Sequence, residues 1–231
     1  MSWKHFFTLL AGAFVISFAS IFTVMSKNIG GVGMLDSAFW RVFIGAVAMG
    51  FVVIPRGQAT CAKPPIGPWI WLPGVFLAFD FGVWHISFDH TSVANSTLLA
   101  NFSVVLMTVF AWWFWKEQIS LKFILGGGIA AVGAVLLIKS SVSRAPVIEG
   151  GNPVLGDFLA IATAFFYAAY LLSTKRFRRE HPAPRLMFWS ALVAATLLLP
   201  GALWHPDPFL PSSPAGWAPL IGLGVLVHAG G

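Results

Sequence analysis

One stretch sets the terms for the whole chain. Residues Thr91–Ile138 read TSVANSTLLANFSVVLMTVFAWWFWKEQISLKFILGGGIAAVGAVLLI. Two apolar runs, Val93–Trp115 and Leu121–Ile138, flank a short turn that holds Lys116, Glu117 and Gln118. Each run is about 20 residues, enough to cross roughly 30 Å of hydrocarbon as a helix. The turn between them is too short for anything but an antiparallel helical hairpin in a membrane.

Composition extends that reading to the whole chain. Hydrophobic residues make up 58% and charged residues 10%, against about 25% charged in a soluble domain. The 22 Phe and 11 Trp suit lipid-facing surfaces and interfacial belts. The single cysteine, Cys61, excludes an internal disulfide. Spans are predicted at Phe6–Met25, Leu35–Ile54, Trp69–Phe88, Val93–Trp115, Leu121–Ile138, Gly156–Thr174 and Leu186–Leu203, and an eighth begins at Trp217. Lys4 with Ser17 and Ala19 imitates a signal peptide, but the run is a full span long and reads as an uncleaved first helix. The expected fold is an all-α integral membrane protein with seven full transmembrane helices plus most of an eighth.

With the amino terminus in the cytoplasm, inner loops hold Lys4, Arg56, Lys63, Lys116, Lys122, Lys175, Arg176, Arg178, Arg179 and Arg185. Outer loops hold only Lys27, Lys139 and Arg144. Ten against three is a positive-inside bias. It accounts for the net charge of +6 without a nucleic-acid partner.

The chain also repeats itself. At a shift of about 148 residues, Ala38-Phe39-Trp40 faces Met187-Phe188-Trp189, Pro68-Trp69 faces Gly216-Trp217, and Lys27 faces Lys175. Residues 1–138 form a first five-helix copy, 139–155 a linker, and 156–231 an incomplete second copy. Five is odd, so the copies are inverted, which is a transporter device with the site near the midplane. The second copy lacks a counterpart of the Thr91–Ile138 hairpin. Two readings follow: a piece of a longer protein, or a shorter protein that dimerises to complete itself.

Thr91-Ser92-x-Ala94, the polar entry Asn95-Ser96, the long fourth helix, Glu117, Ser120, Gly126 and Gly133 stand in an order and spacing that carry a resemblance. The chain resembles the EamA-type permeases of the drug/metabolite transporter superfamily. Two departures stand out: a proline is common midway along the fourth helix, where this chain has Asn101-Phe102-Ser103, and the usual Gly-Glu is Lys116-Glu117. The resemblance implies five plus five spans and transport of an amino acid, a drug or another small metabolite.

Ionisable groups inside a span cost several kcal/mol and mark sites or structural pairs. Arg41, Asp80 and His85 lie well inside. Arg41 and Asp80 sit roughly 10 Å below the outer surface. Either they staple helices two and three, or they face a cavity, Arg41 for an anionic group and Asp80 for an amine or a proton. Trp84 stands beside His85 in the cavity set. The sixth helix carries Thr163, Tyr167, Tyr170 and Thr174 at steps of four, three and four, so they share a face. That face either packs on a neighbour or lines a cavity, where Tyr167 and Tyr170 bind by stacking and hydroxyl bonds. Asn101 bonds across helices or takes a cavity role. Glycines 126, 127, 128 and 133 lack the lysine and strand of a phosphate loop and read as close helix packing. In the resembling family such helices lie at the periphery and can mediate homodimers.

The leading expectation is a gradient-driven secondary transporter, an exporter of a small metabolite, amino acid or drug across a bacterial inner membrane. It is multi-pass, uses no cofactor and takes Asp80 as the proton-coupling site. The alternatives are a non-functional transporter remnant and a membrane-embedded metal hydrolase using His85, Asp89 and His90. The latter is weak, because catalytic zinc needs three convergent protein ligands.

Overall fold

The computed structural model describes residues 3–56, 71–142, 150–179 and 181–230. Cys61, Lys63 and Arg144 fall outside them. The described residues are helical almost throughout: α1 Trp3–Ser17, α2 Ala19–Gly30, α3 Met34–Val53, α4 Leu72–Ser87, α5 Val93–Ala100, α6 Ser103–Trp115, α7 Leu121–Val142, α8 Pro153–Phe177, α9 Ala183–Trp204 and α10 Trp217–Ile221. A π-helical stretch, Gly222–Ala229, continues α10. Among the described residues six helices are long and apolar enough to cross a membrane, with α1–α2 and α5–α6 each counted as one. Leu72–Ser87 and Pro214–Ala229 are apolar but shorter.

The chain divides into two compact units. One holds Met1–Ala78 with Glu180–Gly231, the other Phe79–Arg179. In the first, α3 runs against α9 and the π-helical stretch. The buried face of α3 is Ala38, Val42, Ala46, Met49 and Val53, at helical steps of four, four, three and four. Most of the α9 residues buried in the same unit are small: Ser190, Ala191, Ala194, Ala195 and Ala202, beside Leu186 and Leu198. Small side chains let helix backbones approach closely where lipid supplies no hydrophobic drive between helices. One close approach is at Gly45, where a Cβ would run into the His228 ring, its Cγ 2.9 Å away. Gly31 ends α2 in the left-handed region at φ 68°, which only glycine adopts without steric cost. The loop after α9 is fastened to that turn by Ser212 N–H donating to the Gly30 carbonyl at 2.9 Å.

In the second unit α8 is the hub, packed on α5, α6 and α7. Its buried stripe is Ala160, Ala164 and Ala168, one helical turn apart. Large side chains point outward instead: Ile129 is 75% exposed, with Leu121, Trp113 and Phe114 also bare. That inversion, small inside and large outside, is what a lipid-facing bundle shows.

The polar start of the central hairpin ties this unit together, one residue per neighbour. The Thr91 hydroxyl donates to Asp157 Oδ1 on α8 at 2.7 Å. The Ser92 side chain caps α5 by accepting from Asn95 N–H at 3.2 Å. Asn95 Nδ2 donates to the Ser141 hydroxyl on α7 at 3.1 Å. The Ser96 hydroxyl bonds that of Ser87 on α4. Asp157 is 0% exposed, and a bond to a charged group contributes about 1.5–3 kcal/mol. Thr91→Val is therefore expected to destabilise by about 2 kcal/mol, lowering the melting temperature in detergent by roughly 4–8 °C. Thr91→Ser should melt close to wild type.

At the opposite end of the hairpin, Lys116 closes α6 in the left-handed region at φ 54°. Lysine has a Cβ and is disfavoured there by about 1–2 kcal/mol, whereas glycine is not. The glycine usual at this place in the family that the chain resembles thus has a steric reason. Lys116→Gly is expected to raise stability by about 1 kcal/mol, read as a later midpoint in chemical unfolding. The adjacent Lys175–Glu117 pair, 2.6 Å apart, is half exposed and contributes under about 1 kcal/mol.

Candidate functional site

Five of the expected site residues gather on α4 and α8 of the second unit. Asp80 is 4% exposed and Trp84 and His85 are buried. Asp80, Trp84 and Phe88 follow at steps of four on α4, so they share a face. The Trp84 ring meets Phe88 edge-on at 4.7 Å and the His85 ring at 5.2 Å. His85 Nδ1 lies 2.8 Å from the Phe81 carbonyl. A carbonyl only accepts, so Nδ1 carries the hydrogen and donates. Across from α4, Tyr167 and Tyr170 on α8 stack with ring centroids 6.1 Å apart and planes 21° apart. The two helices meet where the Phe79 ring of α4 stacks on the Phe166 ring of α8, centroids 5.2 Å apart. One buried carboxylate thus stands with a stacked tyrosine pair, a set able to hold a cationic group beside a planar one.

The other expected residues lie elsewhere. Asn101 ends α5 as its C-cap, where the long fourth helix breaks. It is exposed and faces a groove of about 380 Å³ whose walls include Leu99, Phe102 and Val105 on one side and Ala134 and Leu137 of α7 on the other. The groove is almost wholly apolar. The break needs no proline: Phe102 N–H reaches back to Leu99 and Val104 N–H to Asn101, a tighter three-residue step. Arg41 lies in the first unit, buried, one turn before Gly45 on α3.

The glycines of α7 meet little among the described residues. Nothing lies within 4 Å of a Cβ placed on Gly126, Gly128 or Gly133, and Gly127 meets only Val105, at 3.5 Å. Small residues make close packing possible but supply no partner, and among the described residues these three meet none. The metal reading also lacks support. Among the described residues no group of three His, Cys, Asp or Glu side chains is placed to hold a metal. His85 is turned onto its own helix, and His90 Nδ1 accepts from the Asn152 N–H at 3.4 Å.

Three buried ionisable residues escaped sequence reasoning: Asp36, Asp157 and His228. His228 had a signal. The shift of about 148 residues that aligns the two copies places it on Asp80, at the same distance past Trp217 as Asp80 lies past Trp69. Its ring packs on Gly45, close enough to Arg41 to feel the guanidinium's charge.

Comparison with known proteins gives this set a context. The profile of the EamA-like transporter family matches residues 5–139 and 154–230. Solute carrier family 35 member G1 of Mus musculus is 26% identical over 181 residues, covering 74% of this chain and 47% of that protein. An S-adenosylmethionine uptake transporter of Rickettsia bellii (strain RML369-C) is 27% identical over 183 residues, covering 78% of this chain and 59% of that one. The chain thus spans about half the length of these curated relatives. A crystal structure of another protein superposes with a TM-score of 0.69 at 21% identity, over 96% of this chain and 76% of that one. That likeness speaks for the fold.

Proposed function

The chain belongs to the EamA-like transporter family of the drug/metabolite transporter superfamily, and from that premise we propose that it moves a small metabolite, amino acid or drug across a bacterial inner membrane as a gradient-driven secondary transporter. The observation that supports this reading is Asp80, a carboxylate 4% exposed on an apolar helix beside stacked tyrosines. A charge in such a place is costly unless it has work to do. In this reading Asp80 is the proton-coupling site, Tyr167 and Tyr170 hold the substrate, and Trp84 with His85 shapes the wall. Arg41 and Asn101 serve the path. The repeats at 1–138 and 156–231, joined by 139–155, exchange conformations to give alternating access.

The proposed direction is outward, with the amino terminus in the cytoplasm as the ten-to-three charge bias favours. The reading involves no enzymatic step. A homodimer through the bare small-residue face of α7 belongs to the same proposal. The test is counterflow. Proteoliposomes holding the purified chain and loaded with unlabelled compounds are offered the same compounds radiolabelled, across a panel of amino acids, S-adenosylmethionine and cationic drugs. Saturable exchange of at least one compound is expected. Exchange no faster than in protein-free liposomes for the whole panel would count against a transporter.

A further inference from the structure

The start of α3 holds titratable groups that this site does not use. Asp36 is 0% exposed, and neither of its carboxylate oxygens has a hydrogen-bond partner. Its Oδ2 lies against Gly33, where a Cβ would also meet Asp207 Cβ at 2.6 Å and Asp207 Oδ2 at 3.2 Å. Only a residue without a Cβ lets both carboxylates occupy this corner.

The corner is built rather than incidental. Gly33 N–H donates to the Pro208 carbonyl at 3.3 Å, and Trp40 Nε1 donates to the Phe209 carbonyl at 2.8 Å. The Phe209 ring closes on Phe39 and Trp40, with centroids 5.4 and 5.2 Å apart. Asp207 Oδ2 is 3.6 Å from His205 Nδ1, and both side chains are over a third exposed. Of the other elements packed on α3, α2 carries Lys27 in its last turn, α9 carries Arg185 in its first turn, α10 has no titratable residue, and His228 of the π-helical stretch lies further along, at Gly45. A buried Asp36 thus adjoins an acid–imidazole pair that reaches solvent.

An enclosed carboxylate without a donor is costly when ionised, and a second carboxylate beside it adds to the cost. A bound proton removes both penalties, because it gives the pair an O–H donor. We propose that Asp36 is a proton-binding site, loaded from solvent through His205 and Asp207. This goes beyond the transport reading and does not involve Asp80.

Infrared titration of the 231-residue chain in lipid bilayers tests it. A carbonyl-stretch band of a protonated carboxylic acid should persist at pH values where exposed carboxyls are ionised. The band should vanish in Asp36→Asn and remain in Asp80→Asn. In Asp207→Asn it should fade at a more acid pH, by on the order of one pH unit, because one negative charge is gone. An Asp36→Asn spectrum identical to wild type overturns the proposal. So does loss of the band in Asp80→Asn instead, which would move the proton to Asp80 and leave the transport reading standing. An unchanged Asp207→Asn titration overturns the pairing.

Discussion

Gly156→Val is expected to leave little folded protein. A Cβ at this position would stand 2.6 Å from both the Cβ and the backbone nitrogen of Thr91 and 2.9 Å from the carbonyl carbon of His90. Two of those three atoms are backbone, so no rotamer change relieves the overlap. The first turn of α8 would have to move off the residue 90–91 turn. Overpacking of this kind costs about 1–3 kcal/mol and occasionally more. The move would also break the neighbouring Thr91–Asp157 bond, at about 2 kcal/mol. Together they come to about 3–5 kcal/mol, whose upper figure reaches the lower end of a domain's whole stability. Fluorescence-detected size exclusion and a thermal melt in detergent check it: the variant should aggregate or melt far below wild type. A wild-type melt would mean that α8 does not approach the hairpin as described.

Asp80→Asn is expected to abolish substrate flux driven by a pH gradient, a loss on the order of 100-fold or more, near 3 kcal/mol in rate terms. The change is nearly isosteric, so the fold around it should survive. What it removes, on the proposed mechanism, is the group that gains and loses a proton in the apolar wall of α4. Asp80→Glu keeps that chemistry with one more methylene and should retain measurable flux. Unchanged flux in Asp80→Asn would rule out the coupling role.

Much of this fold is written in the sequence, because span length and apolarity are one-dimensional signals. The predicted span at Leu35–Ile54 is α3, Met34–Val53, and that at Leu186–Leu203 is α9, Ala183–Trp204. Inside and outside are harder. Ile129 and Trp113 face outward while Ala160 and Ala191 are buried, so apolar periodicity does not mark the core in lipid as it does in water. The same ambiguity attends α7, where nothing among the described residues lies within 4 Å of a Cβ placed on Gly126, Gly128 or Gly133. Helix breaks at Phe18 and at Asn101–Phe102 carry no proline or glycine and left no mark to read. Of the site, Asp80, His85 and the tyrosine stripe were legible as polar residues in apolar runs. His228 was hidden because it stands in the last turn of its stretch, where a histidine is an ordinary helix end, and only its packing on Gly45 shows it enclosed. Asp36 and Asp157 were hidden because acids near a helix start are ordinary, Asp36 in the first turn of α3 and Asp157 just past that of α8, and only the fold shows them enclosed.

The proton-coupled transport reading is tested most directly by accumulation in proteoliposomes under an imposed pH gradient, using whichever compound shows counterflow. If substrate leaves the cell in exchange for entering protons, an acid lumen should drive labelled substrate inward above its external concentration. Collapsing the gradient with a protonophore should release it. Substrate that only equilibrates, whichever way the gradient points, would contradict proton coupling and with it the role proposed for Asp80.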